Sequence, residues 1–310
     1  MPLYTNLDGT TPDKRLGDLL KWQIARIREK KWKNADGFVT PRRENDGTSL
    51  REDSAHLTWI GHATFVQRLA GKLVATDPIF VPRIGTIKRH TAPGVAAENL
   101  PPLDVVTVSH THFDHMDLAS LKALGRGPTY VVPRDCGELL HEAGLPNVVE
   151  LGWFETHAIG DLKITLVPAQ HWSMRMPWDR NRRLWGGFVY EAPEATTYHA
   201  GDTAFSERVF EAIAERFPHI DFALLPIGAY DPVWFMQEQH MGPEEAGRAW
   251  QLLGAARLVA MHWGTFKLTD EPMGEPPERM RAWWKAQGHD ADRLWIMDVG
   301  ETRSCWQRQG

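Results

Sequence analysis

Residues 105–115 read Val-Val-Thr-Val-Ser-His-Thr-His-Phe-Asp-His. A short, nearly unbroken apolar run is typical of a strand buried on both faces. Four side chains that can bind a metal follow within six residues: His110, His112, Asp114 and His115. In an extended segment alternate residues point the same way, so His110 and His112 share one side of the chain. A turn can then bring Asp114 and His115 to a second point nearby. Structural zinc sites favour cysteine, and the two cysteines here, Cys136 and Cys305, fit no metal-knuckle spacing. Neutral imidazole and carboxylate instead suit a working zinc, iron or manganese centre.

One short loop cannot saturate two metal ions. Further ligand candidates lie just past other strand-like runs: His171, Asp202 and His262. Ligands gather at such positions on α/β scaffolds. Gly201 and Gly264 beside them permit close backbone approach or a positive φ.

The pattern of short apolar runs predicts strands at 57–60, 64–69, 72–75, 105–109, 129–132, 163–167, 188–191, 196–200, 222–226 and 258–261, with Ala70-Gly71 as a tight hairpin turn. Helices are predicted from the Asp117 cap to Leu124, and at 138–143, 207–216, 243–253 and 278–287. Strands in runs with helices between some of them suit an α/β fold of two packed sheets with helices outside.

The first 53 residues read differently, as a basic helix and linker ahead of the main domain at 54–310. Residues 14–33 hold eight basic side chains against Asp18 and Glu29, a local net charge of +6. Leu16, Leu20, Ile24 and Ile27 fall on one helical face. That face is expected to pack on the main domain, or else to anchor on an anionic membrane surface. The whole chain of 310 residues carries a net charge of −5, which disfavours broad nucleic-acid binding. It has no apolar run of 18 residues, its first 30 residues lack the apolar stretch expected of a secretory signal, and its cysteines suit free thiols in a reducing cytoplasm.

The His-x-His-x-Asp-His run resembles the signature of the metallo-β-lactamase superfamily. The chain is similar, more narrowly, to the branch of N-acylphosphatidylethanolamine-hydrolysing phospholipase D and bacterial lactonase-like relatives. The matching stretches are Thr58-Trp-Ile-Gly-His-Ala-Thr, Thr76-Asp-Pro-Ile-Phe, Val108-Ser-His-Thr-His-Phe-Asp-His, Pro168-Ala-Gln-His-Trp-Ser, Leu184-Trp-Gly-Gly-Phe, Ala200-Gly-Asp-Thr, Leu225-Pro-Ile-Gly-Ala-Tyr and His262-Trp-Gly-Thr-Phe. The resemblance implies a four-layer αβ/βα sandwich with a dinuclear site. It assigns His110, His112 and His171 to one metal, Asp114, His115 and His262 to the other, and Asp202 to a bridge between them. Di-iron oxygen-reducing relatives carry a carboxylate at the place of His112, so an imidazole there favours hydrolysis. Zinc is the expected metal, with manganese or iron as alternatives.

Two such ions can share a water and make hydroxide available near neutral pH. The reaction expected is hydrolysis of a phospholipid-like diester; the alternative is a lactone or other carboxylic ester of a small metabolite. Asp202, Asp114 and His240 are the catalytic candidates. His240, in a loop before the helix introduced by Gly242-Pro243, is the candidate for contacting substrate or a ligand. No separate proton donor for the leaving group is obvious. Asp77 is a candidate for orienting a metal-bound histidine. His62 suits either the site mouth or a bond to a backbone carbonyl. Trp172, Trp185, Trp234 and Phe235, with Met174, Met176, Trp178 and Met236, are candidates for an apolar substrate surface, and Arg175, Arg180, Arg182 and Arg183 for holding phosphate.

Overall fold

In the computed structural model the alternating segment after residue 55 folds as a meander: β1 (His56–Gly61), β2 (Thr64–Leu69) and β3 (Lys72–Thr76). Ala70 and Gly71 both take positive φ, 50° and 70°. Such a two-residue turn matches the twist of the strands it joins. The structure describes residues 3–12, 14, 16–29, 31 and 37–303, without the side chain of Leu16. Arg15, Lys30 and Lys33 of the basic run, and Cys305, lie outside the described residues.

A two-stranded ribbon, β4 (Arg83–Ile84) and β5 (Ile87–Lys88), leaves the first sheet. Strands β6 (Val105–Thr107), β7 (Thr129–Pro133) and β8 (Val148–Leu151) then join it in parallel beside β3. The second sheet holds β9 (Thr156–Ile159), β10 (Leu162–Val167), β11 (Gly187–Glu191), β12 (Thr196–His199), β13 (Phe222–Pro226), β14 (Arg257–Met261) and β15 (Leu294–Trp295), side by side in chain order. Finally β16 (Thr302–Arg303) returns to the first sheet, antiparallel to β1.

Period-2 alternation sorts the side chains between layers. On the first sheet Leu57, Trp59, Val74 and Val105 face the second sheet, where Val74 and Val105 join Leu166, Phe188 and Tyr190 in one cluster. Their neighbours Ile60, Leu73, Ala75 and Val106 face outward onto Leu121 of α2 (Leu118–Leu124) and Leu140 of α3 (Gly137–Glu142). Helices α4 (Glu207–Arg216), α6 (Pro243–Leu253) and α7 (Glu275–Ala286) pack on the second sheet, and a short turn of helix, α5 (Val233–Met236), precedes α6. This is the four-layer αβ/βα sandwich expected.

Differences from the expected elements have local causes. Strand β6 stops at Thr107, not Ser109, because the Ser109 N–H donates to Asp77 Oδ1 at 2.7 Å and leaves the ladder. Helix α7 starts three residues early, since Pro276 and Pro277 occupy its first turn, where a missing N–H costs nothing. The short strands β8, β9, β15 and β16 gave no clear periodic signal; β9 is a Thr-His-Ala-Ile edge strand with alternating exposed and half-buried residues.

Residues before position 54 are woven into the sandwich. Leu50 is fully buried in the outer core of the first sheet. Asn6 Oδ1 accepts hydrogen bonds from the His171 backbone and from Trp185 Nε1, both at 3.0 Å. Helix α1 (Leu16–Arg28) docks beside α5, but not by the expected face. Trp22 packs on Phe235, its ring centroid 4.9 Å away, and donates from Nε1 to Asp270 at 2.8 Å. Arg26, four residues on, pairs with Asp270 at 3.1 Å. Leu20, Ile24 and Ile27 are left exposed. An indole and a guanidinium aimed at one buried carboxylate outcompete three aliphatic side chains for the contact. No helix among the described residues is long and apolar enough to cross a membrane.

Candidate metal centre

The loops after β6, β10, β12 and β14 converge at one end of the sandwich. They bring seven predicted ligands together. His110 Nε2 lies 2.9 Å, and His171 Nε2 3.2 Å, from His112 Nδ1. His115 Nε2 lies 3.4 Å from His262 Nε2. Asp114 Oδ2 is 3.6 Å from His115 Nε2 and 3.8 Å from His262 Nε2. Asp202 stands between the two groups. Its Oδ2 is 3.2 Å from His115, its Oδ1 is 3.1 Å from His262, and Oδ2 is 3.9 Å from both His110 and His171.

The outer edges of the rings are held by hydrogen bonds. His115 Nδ1 donates to Asp77 Oδ2 at 2.7 Å, as the orienting role considered for Asp77 requires. Ser109 Oγ donates to the same oxygen at 2.6 Å and accepts from His110 Nδ1 at 2.9 Å. His171 Nδ1 donates to the Gln239 carbonyl at 2.8 Å. Each bond places the ring proton outside and turns the lone pair of Nε2 inward. His110 Nε2 and His171 Nε2 are both left without a proton and both face His112 Nδ1, whose neutral ring has one proton to offer the two of them. His112 Nε2 and His262 Nδ1 have no hydrogen-bond partner among the described residues. A pair of cations resolves this arrangement, and the residues fit one.

The electrostatics agree. Burial pushes His110 and His171 well below the ordinary histidine value, and His112 to about 4, so these rings are neutral. Burial also works against charge on Asp202 and Asp114, but the surrounding imidazoles outweigh it and hold both carboxyls well below the usual carboxylate range. For His262 burial is again opposed, here by Asp202 and Asp114, which lift it to about 9. Neutral nitrogens face one position and two anionic carboxylates face the other.

His62 sits inside this cluster, not at the mouth. It is buried, and its Nε2 lies 3.2 Å from Asp114 Oδ2. With Asp114, His115 and His262 it forms a group whose ligand atoms all lie within 4.8 Å of one another. His62, Asp77 and His262 also hold positive φ of 56°, 40° and 62°, unusual for residues with a side chain and concentrated at this end of the molecule.

Gly201, at φ +60°, is the tightest of these joints. A Cβ there would lie 2.6 Å from the Ser109 Cβ. Gly201→Ala is therefore expected to push Ser109 away from Asp77 and His110, at a cost of about 1–3 kcal/mol. Metal content and unfolding midpoint should both fall; wild-type values for both would refute the contact.

A cavity of about 590 Å³ opens over Asp202. Phe235, Trp172, Arg175 and His240 line it, as do Met174, Met236 and Arg180. Sequence reasoning missed the contribution of Lys14, Leu19 and Trp22, which reach the cavity from the N-terminal segment. No motif marks them. Six expected substrate residues lie elsewhere: Met176, Trp178, Arg182 and Arg183 line a neighbouring cavity, and Trp185 and Trp234 line neither. Trp185 is fully buried, its Nε1 bonded to Asn6 and to the Ala169 carbonyl, and belongs to the core. Trp234 points outward, with the Lys21 ammonium 4.8 Å from its ring centroid. Arg175 lines the cavity but spends its guanidinium on the carbonyls of Thr111 and Met116, at 3.0 and 2.7 Å, bracing the ligand loop. His240 lies close to the bridge position, its Nδ1 3.8 Å from Asp202 Oδ2.

Comparison with known proteins agrees with this architecture. A family model described as the beta-lactamase superfamily domain matches residues 72–263. The chain spans 65% of the length of a Mycobacterium bovis relative, an uncharacterized protein that it matches at 37% identity over 75% of its own length. It is 33% identical to N-acyl-phosphatidylethanolamine-hydrolyzing phospholipase D 1 of Caenorhabditis elegans, over 81% of this chain and 76% of that one. It is 32% identical to a UPF0173 metal-dependent hydrolase of Pyrobaculum aerophilum, over 79% of this chain and 97% of that one. The solved structure of isothiocyanate hydrolase from Delia radicum gut bacteria superposes with a TM-score of 0.65 at 25% identity, covering 81% of this chain and 99% of that one. By its sequence, its two-sheet sandwich and its buried histidine–aspartate centre, the chain belongs to the β-lactamase superfamily.

Proposed function

We propose that the protein is a dinuclear phosphodiesterase acting on an amphiphilic diester of the N-acylphosphatidylethanolamine type. The observation that carries this reading is the composition of the cavity over Asp202. Trp22, Trp172, Phe235, Met236 and Leu268 offer an apolar wall, and Lys14 and Arg180 stand among them, Lys14 paired with Glu238 at 2.8 Å and Arg180 bonded to the Pro12 and Lys14 carbonyls. An acyl chain needs the first and an anionic head group the second. The name of the Caenorhabditis elegans relative supports the same substrate class.

Two divalent cations, of which zinc best suits these donors, would be held by His110, His112 and His171 on one side and Asp114, His115 and His262 on the other, with Asp202 between, and would supply hydroxide near neutral pH and draw charge from the attacked phosphoryl group. The chain's own residues do the rest. Asp202, anionic and central, accepts a hydrogen bond from the attacking water and orients it. His240 is kept neutral mainly by burial, which pushes its pKa down to about 4. Its Nδ1 has no hydrogen-bond partner among the described residues. A neutral imidazole there takes a proton and returns it to the leaving oxygen. Trp172, whose ring lies 4.6 Å from that of His112 and 4.8 Å from the Arg180 guanidinium, positions the head group beside the ligands.

A second reading is hydrolysis at carbon, on a lactone or other small ester. The isothiocyanate hydrolase named among the structural relatives supports it.

One experiment separates the two. Metal-reconstituted protein is offered a chromogenic phosphodiester and an aliphatic lactone, with Asp202→Ala as the blank. Diester turnover is expected, with His240→Ala keeping its metal but losing about 10²–10⁴ in kcat. Lactone turnover alone would replace the first reading with the second. An unchanged rate in His240→Ala would remove its proton-transfer role.

A further inference from the structure

Eleven large hydrophobic side chains are exposed among the described residues, and nine of them sit on α1, on α5 or in the loops around the cavity. That concentration marks an interaction surface; scattered exposed side chains would not. Its centre is the face of α1 expected from sequence to pack inward. Leu20, Ile24 and Ile27 are 53%, 65% and 67% exposed. At 3.6 residues per turn they fall within an arc of about 60°. Lys21 and Arg28 are exposed along one border of that arc. Next to it on α5, Val233 and Trp234 are also exposed.

The other side of the same helix supplies Leu19 and Trp22 to the cavity wall. One element therefore joins the exposed apolar stripe to the substrate cavity. Across the mouth, Phe113 is exposed too and lines both this cavity and its neighbour, beside Trp178.

We propose that the outward face of α1, with Val233 and Trp234, docks on an anionic lipid surface and sets the cavity mouth against it. Charge selects this occupant. Residues 14–33 carry +6 in a chain whose total is −5; Lys14, Arg26 and Lys31 pair with Glu238, Asp270 and Asp231, while Lys21 and Arg28 stay exposed at the edge of the stripe. Positive charge gathered beside an apolar stripe is the signature of a helix lying in an anionic interface. A second copy of the chain would set one such segment against another, and like charges would oppose the contact. The inference rests on the amphiphile reading of the cavity for its purpose, but the surface can be tested without turnover.

The test is co-sedimentation of the full chain with vesicles of phosphatidylcholine alone, or of phosphatidylcholine with phosphatidylglycerol. Wild-type protein is expected to bind the second kind at low salt and to be released as salt rises. Leu20→Gln/Ile24→Gln/Ile27→Gln, which keeps good helix formers on α1, should bind about a hundredfold more weakly or worse. Turnover of a soluble substrate should not change. Should that variant fold poorly, Lys21→Glu/Arg28→Glu is expected to abolish the preference for phosphatidylglycerol. Equal sedimentation of wild type and both variants overturns the proposal. So does a wild-type dimer that the glutamine variant dissociates with no vesicle binding in either, which makes the face a contact between copies. Vesicle binding without diester turnover supports the docking surface and counts against the phosphodiesterase reading.

Discussion

Asp114→Ala or His262→Ala is expected to leave one metal ion per chain and about a thousandth of the wild-type turnover or less. Both side chains belong to the carboxylate-rich half of the centre, with their ligand atoms 3.8 Å apart. The other half, His110, His112 and His171, stays complete in these variants and should retain its ion. Stabilisation of transition-state charge by a bound ion is worth several kcal/mol, and each 1.36 kcal/mol is a factor of ten in rate. Metal analysis and kinetics on the same preparation check the claim together. Full activity with one ion would end the dinuclear mechanism. Loss of both ions would show that the two halves do not fill independently, and that Asp202 cannot hold its position with one half empty.

Asp77→Ala should damage both stability and metal binding, although Asp77 touches no proposed substrate. Its carboxylate is buried and accepts three bonds, from Ser109 N–H, Ser109 Oγ and His115 Nδ1, at 2.7, 2.6 and 2.7 Å. Burial alone would raise its pKa, but the bond and charge of His115 outweigh that and keep it anionic. Removing it strands three donors in the core, which costs about 3–5 kcal/mol. His115 then loses the acceptor that sets its tautomer, and metal affinity should fall about 10–100-fold. Asp77→Asn fills the space without the charge. It should recover part of the unfolding midpoint and little of the metal affinity. Wild-type affinity in both variants would mean that packing alone orients His115.

The reach of the sequence differed from element to element. The strands that are buried on both faces, such as β13 and β14, declare themselves by unbroken apolar runs, and the charged helices α4 and α6 by their spacing. Edge strands β8 and β9 do not, because only part of each is buried and their side chains have no single environment to match. Trp185 and Trp172 look equivalent in sequence, each within a run of tryptophan, arginine and methionine. One fills the core and the other lines the cavity, and nothing local distinguishes them.

The chemistry of the centre was determined by the sequence itself. A buried strand that ends in His-x-His-x-Asp-His delivers four donors to two neighbouring points, since local spacing sets their separation. Only the tertiary structure decided what surrounds them. His62 reaches Asp114 across 52 residues, Asn6 reaches His171 across 165, and Trp22 reaches Asp270 across 248. Contacts of that range depend on how two sheets and an N-terminal arm pack together, and the same packing chose which face of α1 meets the protein and which was left outside. A helical period specifies that a face is apolar; it does not specify what the face will meet.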